Sequence, residues 1–240
     1  MNAIQKTVEW NGIDVVVLKK NMTNIRLTIT RDGTLKLSVP SRFSEKQALH
    51  FLEGKKAWIE KHLQTRQLAK SEYTNINGVP YLGKWVEYSI QYQEIGSTIK
   101  WNEAGKMNIA LKRGCTTEII PKLLDAFYKI ELQKHVMPFL RKWEQTLGVQ
   151  ANTISFRKMT TRWGTCNIIK KRILFNTDLC KHDPTCMEYI VLHELCHLIE
   201  SGHGKAFKAL MDKHMPDWRS IRKKLKENDL IFSSNKILFQ

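Results

Sequence analysis

His193-Glu194-Leu195-Cys196-His197 spells H-E-x-x-H, and a third histidine follows at His203. Positions i and i+4 of a helix share a face, one turn apart. The imidazoles of His193 and His197 can therefore hold one divalent metal, at nitrogen–zinc distances of about 2.0–2.1 Å. Glu194 follows His193 too closely to join them from the same face. It is placed instead to take a proton from a metal-bound water, as in a zinc hydrolase of the peptidase kind. With 8 His and 15 Glu in 240 residues, chance yields the pentad about 0.016 times, and the pentad with its third histidine about 0.0005 times. Chance is therefore a poor explanation. From Pro184 to Ile199, the residues Ile190, Val191, Leu192, Leu195, Leu198 and Ile199 leave little polar surface beyond the His and Glu positions. A buried helix carrying a polar site is expected, because unpaired buried His and Glu would be costly.

The third ligand needs the helix to end. On an unbroken helix His203 would stand about 15 Å beyond His193. The helix is expected to stop soon after His197, with Ser201-Gly202 as the stop, because glycine takes the left-handed conformation readily. Rivals to His203 are Glu200, on the His193/His197 face, and Asp212 or Asp217; His203 itself would then be an ordinary loop histidine. Neutral imidazole suits zinc, and three protein ligands to one Zn²⁺ leave a fourth position open for water.

The chain carries 39 Lys and Arg against 23 Asp and Glu, a net charge of +16. Arg157, Lys158, Arg162, Lys170, Lys171 and Arg172 lie in an acid-free stretch, and Arg219, Arg222, Lys223, Lys224 and Lys226 form a second cluster. Such patches attract nucleic acid, nucleotides or acidic substrates, or simply form a solvated basic surface. The first residues lack the apolar run of a signal peptide, and no apolar stretch is long enough to span a membrane. The 5 cysteines have no C-x-x-C spacing; a cytoplasmic protein without disulfides is expected, with Cys196 a small packing residue.

Strands are expected at Asp14–Leu18, Ile25–Thr30 and Leu35–Val39, with a hairpin at Arg31-Asp32-Gly33-Thr34. Ser44 and Gln47 form a capping box that opens a helix to about Ala69. Further strands are expected at Val79–Leu82, Val86–Tyr92, Thr98–Trp101 and Lys106–Leu111. A long helix then runs from a Thr116 or Thr117 cap to Leu147, interrupted near Pro138 and ended by Gly148. Strands at Thr153–Met159 and Arg172–Asn176 precede the motif helix, and helices from Lys205 to Met215 and from Pro216 to Glu227 follow it. No internal repeat is evident. Gly78 to Lys84 matches G-x-x-x-x-G-K, but Trp85 follows where a phosphate-binding loop needs Ser or Thr, and the flanks read as strands. The fold class is α+β: a strand-rich region over 1–115 with one long helix, then a domain over 116–240 carrying the motif helix.

Arg162-Trp163-Gly164-Thr165-Cys166-Asn167, Phe175-Asn176, Tyr189-Ile190-Val191, the pentad with Leu198, and His203, Phe207 and Pro216-Asp217-Trp218 form an ordered series. With it the chain resembles the YgjP-like metallopeptidase family, which is similar to the SprT-like zinc metalloproteases. Asp32-Gly33, Val39-Pro40, Lys56-Ala57-Trp58-Ile59 and Leu82-Gly83-Lys84 extend the likeness to the N-terminal half. The resemblance implies His193, His197 and His203 as metal ligands, Glu194 as catalytic acid/base, and a zincin-like domain acting on peptide or protein. Thr165, Gly204 and Lys208 depart from the family's usual Ser, Ser and Trp. In zincin folds an edge strand near the metal pairs with extended peptide. Arg162 and Trp163 are then candidates for the cleft wall, with Arg162 able to stabilise developing negative charge. Alternatively Trp163 is core and Arg162 sits in a structural ion pair. The rival functions are a nucleoside triphosphate (UTP) pyrophosphatase, because some YgjP-like proteins carry that assignment, a nucleic-acid-associated SprT-like protease, and a metal-stabilised structural protein.

Overall fold

The structure, a computed structural model, describes residues 4–30, 34–73 and 78–234. The expected Arg31-Asp32-Gly33 turn lies outside the described residues. The chain divides into two compact units, Met1–Asn75 with Leu230–Lys236, and Ile76–Asp229 with Ile237–Gln240.

In the first unit, β1 (Ile4–Trp10), β2 (Ile13–Lys20), β3 (Arg26–Ile29) and β4 (Leu35–Pro40) form a sheet ordered β1-β2-β4-β3. Alternation sets its inner face: Val15 and Val17 of β2, and Leu35, Leu37 and Val39 of β4, are buried at every second position. Helix α1 (Glu45–Glu53) starts at the expected capping box, with Gln47 N–H donating to Ser44 Oγ and Ser44 N–H donating to Gln47 Oε1. Its Ala48 and Leu52 join that core. The single helix expected to Ala69 is two helices, because Gly54 closes α1 before α2 (Lys56–Tyr73) begins.

In the second unit, β5 (Gly78–Tyr81), β6 (Lys84–Gln93), β7 (Thr98–Trp101) and β8 (Met107–Lys112) are ordered β5-β6-β8-β7. The pairing senses match those of the first sheet: antiparallel, parallel, antiparallel. The turns match too, Asn11-Gly12 at φ 50° and 75° and Leu82-Gly83 at φ 49° and 81°. The topology therefore repeats where no repeat is evident in the sequence, since pairing order leaves little trace in residue identity. Val79, Met107, Ile109 and Leu111 share one apolar cluster with the helices that follow, which ties the second sheet to them.

After a 3₁₀ turn, α3 (Ile120–Leu147) runs unbroken through Pro138 and ends at Gly148, φ 65°. Pro138 lies on the exposed face, while Val136, Leu140 and Trp143 continue the buried stripe. A small sheet follows, ordered β10-β11-β9, from β9 (Thr153–Arg157), β10 (Gly164–Asn167) and β11 (Arg172–Asn176). Then come α4 (Pro184–Cys196), α5 (Lys205–His214) and α6 (Trp218–Ser234). No helix among the described residues is long and apolar enough to cross a membrane.

Candidate metal centre

Helix α4 is held at its start from two directions. Asp183 caps it by accepting from Thr185 N–H at 2.9 Å, with Pro184 in the first turn. The β5–β6 turn docks against the preceding segment, Leu82 and Gly83 N–H donating to Cys180 and Lys181 O at 3.0 Å each. The glycine-lysine decoy is thus a hairpin turn. Gly83 is required there, because at φ 81° a Cβ would also press on the Asp183 backbone at 3.1 Å. The helix is buried from Tyr189 to Leu192 and from Glu194 to Cys196, and its Tyr189, Ile190, His193 and Glu194 line a cleft.

The helix ends earlier and differently than expected. Cys196 is its last residue, and Leu198, Ile199 and Glu200 N–H fold back onto Leu195 and Cys196 O. Gly202 does not take a positive φ; the turn is made without a left-handed glycine. His197 stabilises it, its Nδ1 lying 3.1 Å from Glu200 O. Donation from Nδ1 leaves Nε2 as the free lone pair of the neutral ring.

The turn brings His203 back, its Nε2 3.1 Å from His193 Nε2. The ligand nitrogens of His193, His197 and His203 all lie within 4.8 Å of one another. A tetrahedral ion at 2.0–2.1 Å would separate its ligands by about 3.3 Å, so the His193–His203 spacing already suits one. Phe207 of α5, 2% exposed, packs against all three rings at centroid distances of 4.8–4.9 Å. Burial pushes His193 down to about 3, with the charges of His197, His203 and Arg222 acting in the same direction. Burial also lowers His203. Neutral imidazoles are the form that binds zinc, and the donor set fits that ion.

Of the rival ligands, Asp212 is engaged elsewhere, accepting from Trp218 Nε1 at 2.8 Å and pairing with Arg219. Among the described residues, the His, Cys, Asp and Glu groups that converge closely enough to hold an ion are His193, His197 and His203. Cys196 is fully buried, and burial holds its thiol up at about 11, as befits a packing residue.

Glu194 is 5% exposed and projects towards β10. Burial pushes its carboxyl up to about 8, against the charge of Arg162. The close approach is set by Gly164, where a Cβ would stand 2.5 Å from Glu194 Oε1 and 2.7 Å from its Cγ. Only glycine lets the strand lie over that carboxylate. The segment before β10 is pinned by Asn176, 1% exposed. Its amide donates to Met159 O and Arg162 O at 2.9 Å, and its oxygen accepts from Met159 and Asp178 N–H at 3.1 Å.

Arg162 and Trp163 both line the cleft above the histidines. Arg162 is exposed and has no ion pair among the described residues, contrary to the structural alternative. Trp163 is half-buried, edge-on to His182 at 4.8 Å, and so serves wall and core together. Sequence reasoning missed Gly164 as the seat of Glu194, Asn176 as the pin, Phe207 as the backing of the rings and Arg222 beside them. The signals were the glycine within Arg-Trp-Gly-Thr, the places of Asn176 and Phe207 in the ordered series, and the basic run at 219–226, none of which states a role.

The family model of the YgjP-like, metallopeptidase domain matches residues 23–228. Among solved structures the chain is similar to the metallopeptidase zymogen of Methanocaldococcus jannaschii jannalysin, at 18% identity and TM-score 0.36, over 39% of this chain and 95% of that one. It is likewise similar to the zymogen of Pyrococcus abyssi abylysin, at 21% identity and TM-score 0.36, over 39% and 93%. No curated protein matches.

Proposed function

This chain belongs to the YgjP-like metallopeptidase family, and from that premise we propose that it is a zinc-dependent peptidase built on a zincin-like helix and edge strand. His193, His197 and His203 hold one ion, and Glu194 handles the proton of the attacking water. The observation that carries this reading is the convergence of three imidazole nitrogens within 4.8 Å beside a buried carboxylate. Zinc bound there supplies Lewis-acid polarisation of a scissile carbonyl and acidifies a water.

The chain's own groups do the rest. Near a dication the Glu194 carboxyl falls from its elevated value, because opposite charge favours the ionised form. It then accepts a proton at Oε and returns it to the leaving amine. Strand β10 is the edge of its sheet, and an extended peptide can add to it through main-chain hydrogen bonds. Arg162, on the rim near Glu194, is placed to stabilise negative charge developing on the carbonyl oxygen.

The test is Glu194→Gln. The purified variant should keep its metal while peptide turnover falls by about 10²–10⁴-fold, the usual worth of a general acid–base. Wild-type turnover in that variant, or full activity of the native chain after chelation, defeats the reading. Pyrophosphate release from UTP, followed beside peptide cleavage, decides against or for the nucleotide-hydrolase alternative.

A further inference from the structure

The cleft over the histidines, about 760 Å³, is lined by four cations, Arg162, Lys208, Arg222 and Lys226, and by one carboxylate, Glu194. All four cations are exposed, and none has an ion-pair partner among the described residues. Their neighbours on α6 behave otherwise. Arg219 pairs with Asp212, Lys224 reaches Asp183 at 3.1 Å, and Lys223 faces Glu227 at 3.9 Å. Helical geometry explains the split. Trp218, Arg222, Leu225 and Lys226 recur at i, i+4, i+7 and i+8 and share one stripe, the one that lines the cleft. Thus α6 matches the cations that it turns away from the site and leaves uncompensated those that it turns towards it. A general surplus of Lys and Arg does not account for that segregation.

The charges also bracket the centre. That of Arg222 acts on Tyr189, His193 and His203, and that of Arg162 on Glu194. A cleft with low-dielectric walls focuses such a field, and a guanidinium receives a carboxylate through two parallel hydrogen bonds. The shape favours a peptide over a polynucleotide. Tyr189, Phe207 and Trp218 are buried, and Trp163 is half-buried against His182. The cleft thus presents no open aromatic face on which bases could stack, whereas the edge of β10 suits an extended main chain.

Resting on the peptidase reading above, we propose that this cleft selects peptide segments rich in aspartate and glutamate. Arg222 and Lys226 receive acidic side chains on the α6 side of the histidines, and Arg162 receives them on the Glu194 side.

The experiment uses the full chain, zinc-loaded and carrying Glu194→Gln, so that binding is read without turnover. It is titrated with a short fluorescent peptide bearing Asp and Glu around an apolar centre, with the same peptide carrying Asn and Gln, and with a single-stranded oligonucleotide. The acidic peptide should bind about tenfold tighter than its amide counterpart at low salt, the combined worth of a few exposed charge pairs. The advantage should narrow as salt rises and vanish with Arg222→Glu, while Lys223→Glu, on the other face of α6, keeps it. Equal affinity for the two peptides, or an equal effect of Lys223→Glu, overturns the inference. Tighter binding of the oligonucleotide overturns it as well. Turnover by the native chain is read separately. Cleavage of both peptides at equal rates sinks acid selection alone. Selective binding with no cleavage of either peptide leaves acid recognition standing and removes the peptidase reading.

Discussion

Gly164→Ala adds one methyl group, and the structure says where it goes. The new Cβ would stand 2.5 Å from Glu194 Oε1, 2.7 Å from Cγ and 2.8 Å from Cδ. Ordinary contact begins at 3.4 Å, so strand and carboxylate must separate by about 0.9 Å. Oε1 alone could swing aside, but Cγ is caught too, and Glu194 is enclosed at 5% exposure. A displacement of about 1 Å in a catalytic group costs on the order of 10²-fold in rate, or about 2.7 kcal/mol of barrier. Overpacking of this kind also removes about 1–3 kcal/mol of stability. Peptide turnover should therefore fall by about 10²-fold, with metal content unchanged, because the methyl faces Glu194 and not the histidines. In a Glu194→Gln background the same change should add little further loss, since coupled residues are not additive. The reasoning fails if Gly164→Ala turns over at the native rate with full metal. It fails equally if the metal is lost, because the methyl would then act through the imidazoles.

Asn176→Ala strips partners from Met159, Arg162 and Asp178 at a buried site. It should cost about 2–4 kcal/mol in chemical denaturation, and a loss below about 1 kcal/mol would show that the loop holds itself. His203→Ala should weaken zinc binding by more than about 100-fold, the upper range for a merely supporting residue; undiminished affinity by competition with a chelator would hand the third position to another group. Acid should act through Glu131, whose carboxylate accepts from Tyr81 Oη at 2.7 Å and from Lys134 Nζ at 2.6 Å. Burial pushes that carboxyl up, but its partners outweigh burial and hold it below the ordinary value of 4.5. A depressed folded value means that the stabilisation is present above the unfolded value and is lost as pH falls through the folded one. The stability gap between the native chain and Glu131→Gln should accordingly shrink on acidification, and a constant gap would refute the assignment.

The helix of the candidate metal site was legible because its information is local. His193 and His197 share a face by helical period alone, Asp183-Pro184 marks the start, and the apolar run announces burial. The strands Thr98–Trp101 and Arg172–Asn176 and the Ser44 capping box were legible on the same ground. Strand β10 was not, since four residues of Gly-Thr-Cys-Asn carry no alternation to read. Pro138 misled, because the exposure of its helix face is a tertiary fact. The repeated strand order escaped notice because the parallel pairs β2–β4 and β6–β8, which define it, each skip a strand and leave little trace in residue identity.

By itself, then, the amino-acid order determined which groups exist and which of them one helix turn aligns: two imidazoles, with a carboxylate beside them. The tertiary structure alone decided that His203 returns to their side, that Gly164 sets the reach of Glu194, and that Arg222 and Lys226 face the cleft with no ion-pair partner among the described residues. The reason is one of range. Periodicity relates residues within a single element, whereas distances between elements are set by packing, which depends on every side chain between them at once.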